Sequence, residues 1–505
     1  MNKQINQLRS GVILSYVNLL LGSVLPFFYT PLMLSMLGEA EHGLYAISSS
    51  VIGYLSLLNL GLGSAIVRYV AKYRAENNKE AVERIMGFFL LLYCGIGVIM
   101  MLCGWILSEN AATIFAQGLT VPEQEKIRIL VLIMSFHTAI ALPLSAFSSV
   151  VSAYERYVFC RIMDIFATIA VPCANLIILY FGFASIGIAT VSLIIGLVTL
   201  PLYIVYCFRV LRIRPRFAKV PMKLVKEISG FSFFVFLGTL VDMMFWATDK
   251  VILGMLVGTV AVSVYQIGST FNQIVLQLSN SISGVLTPKI TGMVVKNKPV
   301  QELTALFIRV GRLQFLVIGL IVTGFITFGQ AFVQLWVGDA YRTSYWIAVL
   351  TLVPLSVPLI QNTGLSIVVA QNKHRFRAIV YFAIAVLNVI STYLVAPYLG
   401  GVGAALCSCV SYLLGQGIIM NVYYKRVIGL DIPLFWRTIG KMAVLPLCMM
   451  TAGLLLQQKL SLDNWLYFFA AVAVYTGIYC VGMYFLNLND YEKDIINHIL
   501  KIRKH

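Results

Sequence analysis

The sequence is built from long apolar runs separated by short polar interruptions. Fourteen such runs lie at about 11–36, 44–67, 85–107, 129–152, 162–182, 187–208, 229–257, 260–287, 310–329, 344–370, 378–397, 402–423, 442–458 and 464–487. A helix needs about 20 apolar residues to cross a bilayer, and a run of that length with few charges has few other uses. The pattern predicts an all-α integral membrane protein of about fourteen transmembrane helices. The segments between runs are short, the longest about twenty residues, so no soluble catalytic domain fits between them.

The first run follows Met1–Ser10 directly. It is too long for a signal-peptide core and has no small-residue cleavage pattern, so it is expected to stay in the protein. The nine cysteines lie within or at the edges of the runs without a CxxC pair, which suits packing and gives no sign of a disulfide or metal site.

Composition supports this reading. Hydrophobic residues make up 60% of the 505, charged residues 11%, and mean hydropathy is +0.88; soluble proteins average roughly 25% charged. An ordinary cytosolic enzyme is excluded. The formal charge of +17 would suggest nucleic acid in a soluble chain, but here it has a distribution. With the N-terminus inside, thirty-two of the 37 Lys and Arg residues border alternate, cytoplasmic loops. Lys126, Arg128, Arg342 and Lys459 border the outside, and Lys250 lies within a run. Such a bias is the positive-inside signature, and it expects both termini in the cytoplasm and no nucleic-acid partner.

The runs also repeat at an offset of about 217 to 220 residues. Gly43-Leu44-Tyr45 matches Ser263-Val264-Tyr265, and the basic loop after run two matches that after run eight. Ala153-Tyr154-Glu155-Arg156-Tyr157 matches Ala370-Gln371-Asn372-Lys373-His374, and Gly187-Ile188-Ala189 matches Gly403-Ala404-Ala405. Six runs per repeat is an even number, so the halves share one orientation. The expected organisation is two parallel six-helix lobes, 1–220 and 221–430, with an appended pair of helices and a cytoplasmic tail in 431–505.

Four groups of residues could carry chemistry. Run seven contains Asp242, Trp246, Asp249 and Lys250. On one continuous helix Asp242, Trp246, Asp249 and Leu253 would fall within about 60° of one another. A charge at mid-membrane costs about 2.5–3.5 kcal/mol on insertion scales, so these groups are expected to line a cavity or meet one another. Asp249 and Lys250 could also neutralise each other near the outer surface. Run eight carries Gln266, Thr270, Gln273, Gln277 and Asn280 at helical spacing, a polar stripe suited to sugar hydroxyls, with helix–helix hydrogen bonding as the competing use. Asn59 and Asn362 extend the list of cavity candidates. His137, on a face with Ser145, Ser148 and Ser152, is a candidate for proton or ion coupling together with Asp242, although a histidine satisfied by a serine or a carbonyl is the plainer reading. Arg68, Arg309 and Arg312 stand at cytoplasmic ends of runs as candidate phosphate contacts. No GxxxxGK[ST] or HExxH motif points to ATP hydrolysis or a metal.

Pro31-Leu32, Leu37-Gly38, Gly43-Leu44-Tyr45, Leu57-Leu58-Asn59-Leu60-Gly61-Leu62-Gly63 and Val67-Arg68-Tyr69 resemble the start of bacterial polysaccharide-biosynthesis flippases. These belong to the multidrug/oligosaccharidyl-lipid/polysaccharide exporter superfamily. Asp249-Lys250-Val251-Ile252-Leu253-Gly254 followed by Val264-Tyr265 resembles the start of that family's second half. The resemblance implies an alternating-access flippase of the bacterial inner membrane, not an enzyme. It would move undecaprenyl-pyrophosphate-linked oligosaccharide repeat units toward the periplasm for surface polysaccharide, O-antigen included. It implies no cofactor beyond a coupling ion, H+ or Na+, and membrane lipids, a polysaccharide polymerase and chain-length proteins as partners. Pyrophosphate would meet Arg68, Lys250, Arg309 or Arg312. The alternatives are a cation-coupled small-molecule or multidrug exporter, or a lipid II flippase, of the same superfamily. A membrane-embedded polymerase or ligase is a third class, but the longest outer loop, about Ser108–Arg128, has no His or paired basic cluster.

Overall fold

The structure is a computed structural model, and it describes residues 2–218, 221–457 and 462–494. Lys219, Lys459 and the tail cations Lys501, Arg503 and Lys504, used above in the charge count, lie outside the described residues. Every regular element among them is helical.

Contacts gather the chain into two compact units, Met1–Ser263 and Val264–His505. The first unit holds α1 (Asn2–Leu37), α2 (Glu39–Leu55), α3 (Leu62–Ala75), α4 (Lys79–Glu109) and the single turn α5 (Ala111–Ile114). It continues through α6 (Val121–Ala153), α7 (Tyr157–Tyr180), α8 (Ser185–Tyr206), α9 (Met222–Trp246) and α10 (Thr248–Leu256). The division falls within α11 (Thr259–Val295). The second unit then contains α12 (Val300–Val337), α13 (Arg342–Ile360), α14 (Asn362–Ala370), α15 (His374–Tyr412), the turn α16 (Met420–Tyr423), α17 (Ile432–Gln457) and α18 (Trp465–Leu486). The expected boundary at 220 follows the repeat; by packing, α9 and α10 go with the first unit.

Among the described residues, twelve helical segments are long and apolar enough to cross a membrane, against the fourteen expected. The difference has two physical sources. Arg375–Ile428 counts as one segment of 54 residues although the chain turns at Gly400 (φ 55°, ψ −141°). At 1.5 Å per residue that length is about 80 Å, well over twice a hydrocarbon core. The other is α11, whose 37 residues are long enough but whose amides lower its hydropathy.

The interior is built from the apolar residues that the runs supply. In the first unit Phe89 and Tyr93 of α4 and Ile127 and Leu130 of α6 are fully buried, while Leu91, Val98 and Leu102 on the other side of α4 are exposed. A helix apolar on both sides, buried on one and bare on the other, is what a lipid solvent permits. In the second unit the Phe307 and Phe435 rings pack tilted at 32° with centroids 4.6 Å apart, and Met442, Tyr479 and Met483 tie α17 and α18 to α12.

The backbone carries the sequence repeat. Left-handed residues recur in pairs at offsets of 217 to 220: Gly38 with Gly258, Asn77 with Asn297, Glu155 with Asn372, Gly182 with Gly400, and Arg212 with Gly429. Asparagine and glycine take this region at least cost, and they fill eight of these ten positions. The helices before Arg212 and Gly429 both end in wide π-type turns.

Three interruptions lie within the expected runs, at residues 56–61, at Ala247 and at Gln361. The first joins a 3₁₀ turn, Ser56–Asn59, to Leu60 (φ 52°) and Gly61 (φ 65°). A Cβ at Gly61 would lie 2.2 Å from Val235 Cγ1 of α9, so both the dihedral and the packing require glycine there.

Candidate functional site

The first unit brings one group of candidates together around the break between α9 and α10. Ala247 (φ −111°, ψ −32°) ends α9 after Trp246 and precedes α10, so run seven is two helices and not one. This corrects the expectation that Asp242, Trp246, Asp249 and Leu253 share a face. Asp242 is exposed and Trp246 half-buried, whereas Asp249 and Leu253 are wholly buried. Nor is Asp249 solvated near an outer surface.

Tyr54 of α2 holds the break. Its hydroxyl donates to the Met243 carbonyl at 3.3 Å and is in close hydrogen-bond contact with Thr248 Oγ1, so one side chain engages groups on both sides of Ala247. Lys250, half-buried, lies within electrostatic reach of Asp249 and of His42 at the start of α2. His42 is itself buried, and its Nδ1 meets Ser263 Oγ at 2.7 Å. Gly43 lets this approach happen, since a Cβ there would lie 1.9 Å from the Thr259 carbonyl oxygen. The break is therefore followed at once by a polar group made of buried Asp249, half-buried Lys250 and, from α2, buried His42. Sequence reading missed His42 and Tyr54, although His42 precedes the quoted Gly43-Leu44-Tyr45.

Elsewhere in this unit, Asn59 Oδ1 is buried with no hydrogen-bond partner among the described residues, in the turn that interrupts run two. Arg68 on α3 is exposed, 5.9 Å from the ring centroid of Tyr69. His137 of α6 is half-buried against Gly196 of α8, where an added Cβ would come within 2.7 Å of its Nε2.

The second unit collects the amides. Along α11, Gln266 and Thr270 are half-buried, and Gln273, Gln277 and Asn280 are exposed, so the stripe forms one progressively opening face. Asn362, the first residue of α14, donates from Nδ2 to Asn280 Oδ1 at 2.9 Å and joins that face. The break at Gln361 makes this possible by turning α14 off the line of α13. Gln361 itself is buried and donates to Asn421 Oδ1 at 2.8 Å, which also accepts from Trp436 Nε1 at 2.9 Å.

A second row on α11 was not anticipated. Asn272, Ser279 and Ser283 are buried, at helical spacing on the side away from the stripe. Asn272 donates to Thr351 Oγ1 at 2.9 Å; Ser279 donates to Gln314 Oε1 at 2.9 Å and is within 3.1 Å of the Leu359 carbonyl; Gln314 donates to Ser283 Oγ. Counting periodicity on both faces of run eight would have found them. The helix is thus fixed to α12 and α13 by one row and presents amides on the other.

Arg312 is held by Glu492, with Nε to Oε1 at 2.6 Å and Nη2 to Oε2 at 2.7 Å, and Nη2 also donates to the Asn487 carbonyl. Glu492 is fully buried, so this bidentate pair closes the end of α18 onto α12. Arg309 is exposed and lies over the Tyr491 ring at 4.4 Å.

The sequence profile of the polysaccharide biosynthesis protein family matches residues 8–294, more than half of the chain. The chain belongs to the polysaccharide biosynthesis protein family. The fold of this family member is similar to those of several solved membrane proteins. A structure described as lipid II flippase MurJ, inward closed conformation, aligns with a TM-score of 0.73 at 15% identity, over 93% of this chain and 97% of that one. An inward-facing multidrug resistance MATE family transporter aligns at 0.62 and 15%, over 82% and 96%. A MOP superfamily transporter from Pyrococcus furiosus aligns at 0.54 and 14%, over 81% and 93%. No curated protein matches the chain. Its described residues hold twelve helical segments long and apolar enough to cross a membrane, in a fold like those of these solved structures.

Proposed function

We propose that the protein flips undecaprenyl-pyrophosphate-linked oligosaccharide repeat units from the cytoplasmic to the periplasmic leaflet of the bacterial inner membrane, by alternating access. The observation that carries this reading is the amide face of α11, with Gln273, Gln277 and Asn280 exposed and Asn362 joined to it, in a chain of the polysaccharide biosynthesis family. Neutral amides offer donors and acceptors to sugar hydroxyls without the desolvation cost of ions. In this reading Arg68 and Lys250 are the pyrophosphate contacts, and Asp242 or His137 takes a coupling proton or Na+. The 54-residue segment crosses twice with its turn at Gly400, α11 crosses once, and fourteen traverses leave both termini in the cytoplasm.

Complementation of a deletion strain tests the reading. Asp242→Asn and Gln273→Leu are expected to lower surface polysaccharide several-fold at unchanged membrane levels of protein. Unchanged polysaccharide together with raised drug sensitivity in the deletion strain would favour a cation-coupled exporter instead. Full complementation by both variants would assign the two residues to structure alone.

A further inference from the structure

The second unit holds two adjoining cavities outside the amide face, of about 660 Å³ and about 570 Å³, between the start of α12, the start of α17 and the end of α18. Both are lined by Arg312 and Leu434. Arg309 lines the larger and Arg437 and Lys441 the smaller, so four cations surround one groove.

The carboxylates that meet this groove are already engaged. Glu492 is bound bidentately by Arg312, and Asp431 accepts from the Leu434 backbone N–H at 3.0 Å, capping α17. Among the described residues neither Arg437 nor Lys441 has a carboxylate within salt-bridge distance, although they stand one helical turn apart on the same side of α17. Arg309 places its guanidinium carbon 4.4 Å from the Tyr491 ring centroid, a cation–π contact that uses none of its N–H donors on a carboxylate. Positive-inside counting explains that cations gather at this end of the helices. It does not explain why they converge on a cavity whose acids are otherwise occupied.

The rim is apolar. Leu434 and Leu486, both lining the groove, are exposed, and Phe485 beside Leu486 is 72% exposed. A soluble anion has no use for such a rim, whereas acyl chains lie along one.

We propose that this groove binds the phosphate headgroup of an anionic membrane phospholipid, with Arg309, Arg437 and Lys441 as its ligands and Arg312, fixed by Glu492, as the wall between the two cavities. The groove differs from the amide face in both location and chemistry, so the assignment does not depend on what the protein transports. Basic pockets between helix ends at the cytoplasmic surface suit such headgroups because charge and apolar area are gained together. The site would tie α17 and α18, which lie outside the sequence repeat, to the composition of the leaflet.

Purified full-length protein in neutral detergent provides the test. Dioleoylphosphatidylglycerol is expected to raise the thermal unfolding midpoint saturably, dioleoylphosphatidylcholine not to, and native mass spectrometry to show a retained phosphatidylglycerol. The Arg437→Gln/Lys441→Gln double variant, altered only at exposed side chains, is expected to keep the lipid-free midpoint and lose at least half of the shift. The Lys425→Gln/Arg426→Gln variant, equal in charge change and also exposed, is expected to keep it. An undiminished shift in the first variant, or an equal loss in both, would overturn the proposal. Glycerol 3-phosphate matching the lipid's effect would overturn the lipid assignment in favour of a soluble phosphate.

Discussion

The two units bury polarity in different currencies. The first places charge just after a helix break: Asp249 is wholly enclosed, Lys250 half so, and His42 stands within reach. Apart from Glu492, which Arg312 holds in a bidentate pair, the second buries neutral groups in hydrogen-bond chains, with Gln314 joining Ser279 to Ser283 and Asn421 joining Gln361 to Trp436. A buried charge is costly unless compensated, and its cost changes with any movement that admits water or removes a partner. A satisfied amide network carries no net charge, so its cost varies less with such movements, although orphaning one member still costs about 1–3 kcal/mol. The first arrangement suits a place where the protein changes state, and the second suits a scaffold. Tyr54 spans the discontinuity in the first unit, while α11 continues without a break past Ser279 and Ser283 in the second, where the break at Gln361 is held by an amide of the network.

The comparison can be broken. The largest effect is expected from Asp249→Leu, which leaves Lys250 without its neighbouring carboxylate and should cost about 3–5 kcal/mol. Thermal unfolding of purified protein measures it, and adding Lys250→Met should recover part of the loss. Gln314→Leu should cost about 2 kcal/mol in the same assay, by taking from the buried Ser283 hydroxyl its amide donor while Ser279 keeps the Leu359 carbonyl. If it costs as much as Asp249→Leu, the distinction between charged and neutral burial fails. The smallest effect belongs to Asn280 and Asn362, whose coupling in a double-mutant cycle should be near 0.6 kcal/mol and below about 1.7. A larger value would make the amide face a structural joint.

Hydropathy and charge carried most of the fold, because lipid leaves a chain few alternatives to the helix. What they did not carry was where helices break. Pro26, Pro31, Pro143, Pro172 and Pro446 all lie inside continuous helices. The break at Ala247 has neither proline nor glycine beside it and is held by Tyr54, nearly 200 residues away in sequence. Local pattern cannot report a contact made that far along the chain. The break at Gln361 does follow Pro358 by three residues, so there a local cause was visible. For the candidate residues, the stripe on α11 was legible because one face repeated with the helical period. Asp242 and Asp249 were wrongly joined because that period was carried through a helix end. Arg312 looked like a phosphate ligand until its partner Glu492, far along the chain, came into place.

The paired left-handed turns have a consequence for how the chain tolerates length changes. Asn77 and Glu155 in one half, and Asn297 and Asn372 in the other, redirect the backbone with only one or two residues before the next helix begins. Each turn therefore fixes the rotational phase of the next helix as well as its direction. One residue inserted between two such turns would rotate the following helix by about 100° and turn its polar face toward lipid. Length is thereby quantised between these positions, and both halves have kept almost the same count.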